Sequence, residues 1–170
     1  MNRDREAFLA GERPDDVAIY VGDAAIDDPD RLAAYGERLD DGVLLVVDGD
    51  RGRNVFDSAT GVDPMAFARQ AMGTTGEIDR ELRGGRCPEM VGADDREESD
   101  REDGDREDGD CQDTDSPAAE TDDVHKLRYL FSFAEAQTDE VDGIYAEGDV
   151  IHAYAQCSCG VAYSDRWLVE

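Results

Sequence analysis

Lysine is almost absent from this chain of 170 residues: Lys126 stands alone, and the other sixteen basic residues are arginines. Acidic residues number 44, which gives a formal net charge of −27. Such a surface repels itself in dilute salt, whereas molar salt shortens the Debye length to about 3 Å and screens the repulsion. Because the acidic residues are spread along the chain, we interpret it as a cytoplasmic protein of a halophile. The alternative is an acidic partner-binding protein from an ordinary cell.

Basic clusters, long apolar runs and a cysteine framework are also lacking, and each absence excludes a class of protein. Without clustered Lys and Arg, nucleic-acid binding is not expected. No run approaches the roughly 18 apolar residues of a membrane span, and the charged segment Met1–Glu12 does not resemble a signal peptide. Four cysteines are too few for a disulfide scaffold in a chain of this size and favour free thiols or metal ligands.

Short apolar runs and helix caps alternate in the first half of the chain. The runs Val17–Val21 and Val43–Val47 are rich in β-branched residues and predict two buried strands. A helix is expected between them, from about residue 28 to 38, so that the unit would be a right-handed parallel crossover. Two more helices are expected, one ending at Gly61 and one capped by Asp63.

The second half has the patterns of β-strands. Alternating side chains over 126–133 predict a strand with one face in the core. Strands are also expected at 143–146, 150–157 and 161–169, the last two forming a hairpin. The stretch 143–169 holds the single Trp and is expected to form the middle of the sheet. We therefore expect an α+β fold: a single domain with a mixed β-sheet, helices from the N-terminal half packed on it and a C-terminal antiparallel hairpin.

The segment 91–123 has a different composition from the rest. It carries sixteen acidic residues and three arginines, and it lacks aromatic residues, Leu, Ile and Met. Such a segment buries too little apolar surface to offset the entropy of ordering it. We expect a disordered acidic linker between an N-terminal half, 1–90, and a C-terminal half, 124–170, of the same domain. An acidic docking tail is the alternative.

Two cysteines one residue apart lie at a predicted turn, in Cys157-Ser158-Cys159-Gly160. Half of a zinc ribbon presents two thiolates from such a turn, although its usual spacing has two intervening residues. Cys87, in a Gly-rich turn, is the candidate third ligand, and His125 is the candidate fourth. No cofactor is certain from these residues, and zinc is the one that such a site could hold.

Two other residues are poorer candidate ligands. His152 lies five residues before Cys157, so in one strand the two would face opposite sides, about 16 Å apart. Cys111 lies in the acidic segment. A pair of reduced structural or redox thiols is the preferred interpretation of the turn cysteines, with a metal site and a catalytic thiol as the alternatives.

Two further groups could carry chemistry. Arg51 and Arg53 follow a predicted strand and could hold a phosphate at a helix start, but a helix cap with paired arginines is the preferred interpretation. On the C-terminal sheet, five residues could form a polar cluster with acid–base potential on one face, but half-buried side chains without catalytic function are the preferred interpretation: His152, Tyr154, Tyr163, Asp165 and Arg166.

Four stretches of sequence are familiar in combination: Phe8–Pro14, Val43–Arg53, Ala71–Thr74 and Tyr145–Trp167. They resemble a small family of uncharacterised proteins of halophilic archaea, defined as a domain of unknown function. The resemblance covers most of 8–88 and 124–170 and leaves out the acidic segment. It implies no activity and no site residue.

The leading functional hypothesis is a small binding or regulatory module with structural turn cysteines that could bind zinc. Its partner would be an unknown protein or small molecule, with no nucleic acid and no membrane. The alternative is a small enzyme that uses the polar cluster or a thiol on the C-terminal sheet. A third hypothesis is a homo-oligomer formed through an unpaired edge strand.

Overall fold

A computed structural model describes residues 3–91 and 125–169. Its main feature is a six-stranded sheet in the order β2-β3-β1-β6-β7-β8. The strands are β1 (Asp16–Gly22), β2 (Glu37–Arg38), β3 (Gly42–Asp48), β6 (Leu127–Glu135), β7 (Val150–Cys157) and β8 (Ala162–Leu168). A separate two-stranded ribbon consists of β4 (Glu77–Ile78) and β5 (Gly85–Arg86).

Short helices connect these strands and cover the sheet. They are α1 (Arg3–Leu9), α2 (Pro29–Ala33), α3 (Gly49–Thr60), α4 (Pro64–Ala71), α5 (Pro88–Val91) and α6 (Ile144–Glu147), with a 3₁₀ turn at Asp23–Ala25. The Asp48 carboxylate accepts hydrogen bonds from the first turn of α3, and Asp63 does the same for α4. Helix α3 ends at Gly61, which adopts the left-handed conformation (φ 69°) that glycine favours. The expected caps of these two helices are therefore present.

The sheet carries apolar side chains on both faces. On one face, α3 and α4 place Phe56 and Phe67 against Tyr129 and Phe131 of β6, with ring centroids 5.2–5.7 Å apart. The opposite core joins residues of α1, the ribbon and the last two strands: Phe8, Leu82, Cys87, Cys157, Tyr163 and Trp167. Two buried faces explain why β1 and β3 are almost continuously apolar.

The α+β fold with a C-terminal hairpin is confirmed, but the expected parallel crossover is wrong. Strands β1 and β3 pair antiparallel, with Ile19 opposite Leu45, as do the other neighbouring strands of the main sheet. The sheet's parallel contact is an isolated bridge between Thr75 and Ser164. The continuous apolar runs reflect burial on both faces, which an antiparallel strand reaches when helices cover one face and other segments cover the second.

Three smaller expectations also need correction. The first helix after β1 ends at Ala33 rather than near residue 38, so that Tyr35 is 65 % exposed. Residues 143–146 belong to a loop and α6, not to a strand. The middle of the sheet is formed by β1 and β6, whereas β8 lies at an edge.

Strands of both sequence halves share the main sheet, because β1 pairs with β6 over Val17–Val21 and Tyr129–Phe133. The predicted acidic linker, 91–123, lies almost wholly outside the described residues. Within the described ranges, every helix is too short or too polar to cross a membrane.

Candidate metal centre

The turn between β7 and β8 presents two of the predicted cysteines. Cys157 ends β7 with its side chain in the core, and Cys159 is exposed at the tip. Backbone hydrogen bonds from Cys157 N to Val161 O and from Gly160 N to Cys157 O close the turn. Gly160 has a φ of 97°, a conformation that side chains disfavour. The turn therefore holds both sulfur atoms on one side of the hairpin.

The two-stranded ribbon brings Cys87 to the same place. The ribbon docks on β8 through a hydrogen bond from Ile78 N to the Asp165 carboxylate (3.1 Å). Gly85 lies so close to Tyr163 that a Cβ atom there would clash with the Tyr163 hydroxyl. This close approach places Cys87, which is 1 % exposed, beside the hairpin turn.

His125 reaches the cluster from the start of the described C-terminal segment. The neighbouring Lys126 and Ser158 exchange two hydrogen bonds, Ser158 N to Lys126 O (2.8 Å) and Lys126 N to Ser158 Oγ (2.9 Å). These bonds fix the chain next to the turn, and His125 Nδ1 lies 3.5 Å from Cys157 Sγ.

The four predicted residues thus converge, and their ligand atoms all lie within 4.8 Å of one another. The Cys87 and Cys159 sulfur atoms are 3.6 Å apart, far longer than the roughly 2.05 Å of a disulfide bond, and the three cysteines are free thiols. Zinc–ligand bonds of about 2.3 Å to sulfur and 2.0 Å to nitrogen place tetrahedral ligand atoms roughly 3.6–3.8 Å apart. The Cys87–Cys159 separation of 3.6 Å and the Cys157–His125 separation of 3.5 Å come close to this spacing, so the cluster could hold a metal ion.

The pKa values of Cys87 and Cys159 are shifted in opposite directions by their surroundings. Burial raises the pKa of Cys87 to about 12, and the nearby Cys159 and Cys157 thiols add to this effect. Burial also acts to raise the pKa of Cys159, but hydrogen bonds from the Val161 backbone and from the other two thiols outweigh it and lower that pKa. A backbone N–H two residues ahead, at Glu89, donates to the Cys87 sulfur in the same way. Such N–H···S bonds favour the thiolates that bind metals.

Tyr163 covers the cluster from β8. Its side chain is 1 % exposed, and burial raises its pKa, with Cys157, Cys87 and Cys159 as further causes. This places Tyr163 on the cysteine face of the sheet. Its predicted membership of the polar cluster around His152 is therefore wrong, because His152, Tyr154 and Arg166 lie on the other face.

The polar cluster on that other face includes two residues that the sequence did not indicate. His152 Nε2 donates a hydrogen bond to Glu135 Oε2 (2.8 Å), and the Tyr145 hydroxyl lies 3.4 Å from the same nitrogen. Glu135 lies on the same face of β6 as Phe133, the cross-strand partner of His152. The alternation of β6 was therefore a sequence pattern that could have placed Glu135 near His152. Tyr145 was assigned to a strand, and only the helical geometry of α6 brings it over the imidazole.

The arginines after β3 follow the helix-cap interpretation. The Asp48 carboxylate accepts from the N–H groups of Asp50 and Arg51 at the start of α3. Arg53 pairs with Asp50 at 3.8 Å, and the Arg51 guanidinium lies 6.0 Å from the Tyr35 ring centroid. Two of the amides that a phosphate would need are therefore bonded to Asp48, and Arg53 has an acidic neighbour.

Comparisons with known proteins identify a family without an assigned function. No curated protein and no solved structure matches the chain. The model of DUF5807, a family of unknown function, matches residues 36–102 and 97–170, which together span most of the sequence. The second match contains His125, Cys157 and Cys159, and the first contains Cys87. The chain belongs to the DUF5807 family.

Proposed function

We propose that this chain is a zinc-binding module of a halophile's cytoplasm, in which Cys87, His125, Cys157 and Cys159 hold one Zn²⁺. The observation that carries the proposal is the convergence of three sulfur atoms and one imidazole nitrogen within 4.8 Å. These four ligands come from three separate segments of the chain, so chance proximity along the sequence does not explain the cluster.

The ligand set favours zinc over the common alternatives. Thiolate and imidazole ligands suit Zn²⁺, whereas Mg²⁺ and Ca²⁺ prefer oxygen. Four protein ligands fill a tetrahedral shell and leave no position for water or substrate, which is typical of structural rather than catalytic zinc. We therefore assign the ion a structural role.

A bound zinc ion would add a link between the ribbon, the hairpin turn and the start of β6. The ribbon strands are two residues long and cannot be stable by themselves. An ion at Cys87 would tie the ribbon to the β7–β8 hairpin, and His125 would tie the start of β6 to the same point. The resulting rigid surface suits a small binding or regulatory module, whose partner is a protein or small molecule.

Elemental analysis of the purified protein tests the proposal. We expect one zinc per chain in the wild type and a large loss of zinc in Cys159→Ser, a change at an exposed side chain that leaves the core packing intact. Cys111→Ser is the matched control, because it makes the same change at the one cysteine that is not among the four proposed ligands, and it should retain zinc. A wild type without stoichiometric zinc, or equal loss in both variants, would refute the proposal.

A further inference from the structure

A cavity of about 420 Å³ lies on the sheet face opposite the cysteines. It is built between α6, the last two strands and the residues that follow α4. Its walls include Met72, Tyr145, His152, Tyr154, Ser164 and Arg166. This volume falls in the range of pockets that hold small molecules, and the combination of aromatic walls with a few polar groups is typical of them.

Arg166 is the main charged group of the cavity. Its guanidinium donates to the Tyr145 hydroxyl (3.2 Å) and lies 5.6 Å from the centroid of that ring. It forms no ion pair within the described residues, although acidic residues outnumber basic ones 44 to 17 in the sequence. A guanidinium with several N–H groups still available at a cavity is suited to bind an oxyanion in a bidentate manner.

The imidazole of His152 is held rigidly beside this arginine. It is bonded to Glu135 through Nε2 and stacks on Phe133 and Tyr145, with ring centroids 5.1 and 5.7 Å away. Its side chain is only 13 % exposed. Tyr145 contacts both His152 and Arg166, so that one aromatic ring positions both groups at the cavity wall.

The charges around the cavity discriminate between oxyanions. Asp165 borders the cavity, although its carboxylate is directed to the ribbon and accepts hydrogen bonds from the backbone N–H groups of Ile78 and Arg166. Glu135 lies just behind His152. These nearby carboxylates repel a phosphate dianion more strongly than a monocarboxylate, because the dianion carries the larger charge, and the fork of one arginine matches a single carboxylate.

An apolar body would complete the ligand. The Tyr154 ring is 5 % exposed and forms part of the aromatic core around Phe133, which lies 5.9 Å away, centroid to centroid. The Tyr154 hydroxyl is protonated at neutral pH, as a phenol ordinarily is, and can donate a hydrogen bond; burial raises its pKa further.

We infer that this cavity binds a small monocarboxylate with an aromatic or aliphatic body, its carboxylate on Arg166 and its body against Tyr154. The inference does not depend on the zinc site, since the two lie on opposite faces of the sheet. It would give the module a small-molecule ligand.

Benzoate is a suitable probe because it combines one carboxylate with a ring. We would measure the zinc content of the full-length protein and then titrate the same sample with sodium benzoate by isothermal calorimetry at one fixed salt concentration. Saturable binding is expected, with at least about tenfold weakening in Arg166→Gln, because charge-assisted hydrogen bonds are lost. Arg166→Lys, which keeps the charge and loses the fork, should also bind more weakly than the wild type.

Arg83→Gln is the matched control, because it makes the same change in charge outside the cavity lining. Arg83 lies on the ribbon, where it pairs with Glu81. It should bind benzoate within about twofold of the wild type, and inorganic phosphate should not compete. Absence of saturable benzoate binding, equal weakening in the two glutamine variants, or tighter binding of phosphate would overturn the inference. Zinc content is read from the same samples, so failure here is distinct from failure of the zinc proposal.

Discussion

The sulfur atoms of Cys87 and Cys159 lie 3.6 Å apart, although 72 residues separate them in the sequence. One belongs to the segment that ends the N-terminal half, and the other lies at the tip of the C-terminal hairpin. In both, a backbone N–H two residues ahead donates to the sulfur. A metal ion bound here would link distant parts of the chain. The stability of the folded state is therefore expected to fall when the metal is removed.

Removing zinc should therefore destabilise the protein. An ion that binds the folded state and not the unfolded chain contributes its binding free energy to stability, so chelation should lower the melting temperature in concentrated salt. Differential scanning calorimetry with and without a chelator measures this. Cys159→Ser should melt at the lower temperature in both conditions, and Cys111→Ser should behave as the wild type. An unchanged melting temperature after complete zinc removal would contradict the structural role.

Zinc binding should release protons near neutral pH. Burial raises the pKa of Cys87 to about 12, so the metal-free thiol is protonated well above pH 7, whereas the ligand must be a thiolate. Calorimetric titration of the metal-free protein with zinc, in buffers of different ionisation enthalpy, counts the released protons. We expect at least one proton per zinc at pH 7.5. Heats that do not depend on the buffer would show that zinc binding displaces no protons from the thiols, which would contradict thiolate ligation.

The fit between Gly85 and Tyr163 should control both the ribbon and the metal site. A Cβ atom at Gly85 would clash with the Tyr163 hydroxyl, whereas nothing lies within 4 Å of the corresponding position at Gly84. We expect Gly85→Ala to lower stability by about 1–3 kcal/mol, as overpacking does, and to weaken zinc binding. Chemical denaturation and competition with a zinc indicator measure the two effects. The neighbouring Gly84→Ala should change neither, and equal effects in the two variants would refute this account.

Alkaline pH should reduce stability through Tyr20. Burial raises its pKa from 10.0 to about 12, with Asp41 and Asp23 as further causes. Because the folded state favours the protonated phenol, the stabilisation is complete below pH 10 and is lost as the pH rises to about 12. The loss amounts to about 2–3 kcal/mol.

Denaturant unfolding between pH 9 and 12 measures this dependence in the wild type and in Tyr20→Phe, which has no group to titrate. The variant should lose less stability over that range, and some loss should remain because burial also raises the pKa of Tyr163. Identical pH profiles for the two proteins would show that Tyr20 does not contribute.

Local patterns predicted most elements of this fold. Period-two alternation predicted β6, and the aspartates and glycine at helix ends predicted α3 and α4, because these signals depend on neighbours in the sequence. The pairing direction of β1 and β3 was not predictable in this way. A buried apolar run has the same composition in a parallel sheet and in an antiparallel sheet covered on both faces.

The two sites differ in how far the sequence indicated them. Turn chemistry suggested that Cys87 and the hairpin cysteines present their thiols to a common point, and strand alternation placed His152 on the other face. The role of Tyr145 was missed because Gly143–Ala146 resembles a short strand, whereas the backbone turns into a helix there. Contacts of this kind depend on how loops cross the sheet, which no local pattern specifies.

Zinc-edge X-ray absorption of the purified protein tests the central claim most directly, because it reports the atoms bound to the metal. The account predicts three sulfur neighbours at about 2.3 Å and one nitrogen at about 2.0 Å. A sample without zinc, or a shell made of oxygen and nitrogen alone, would contradict it.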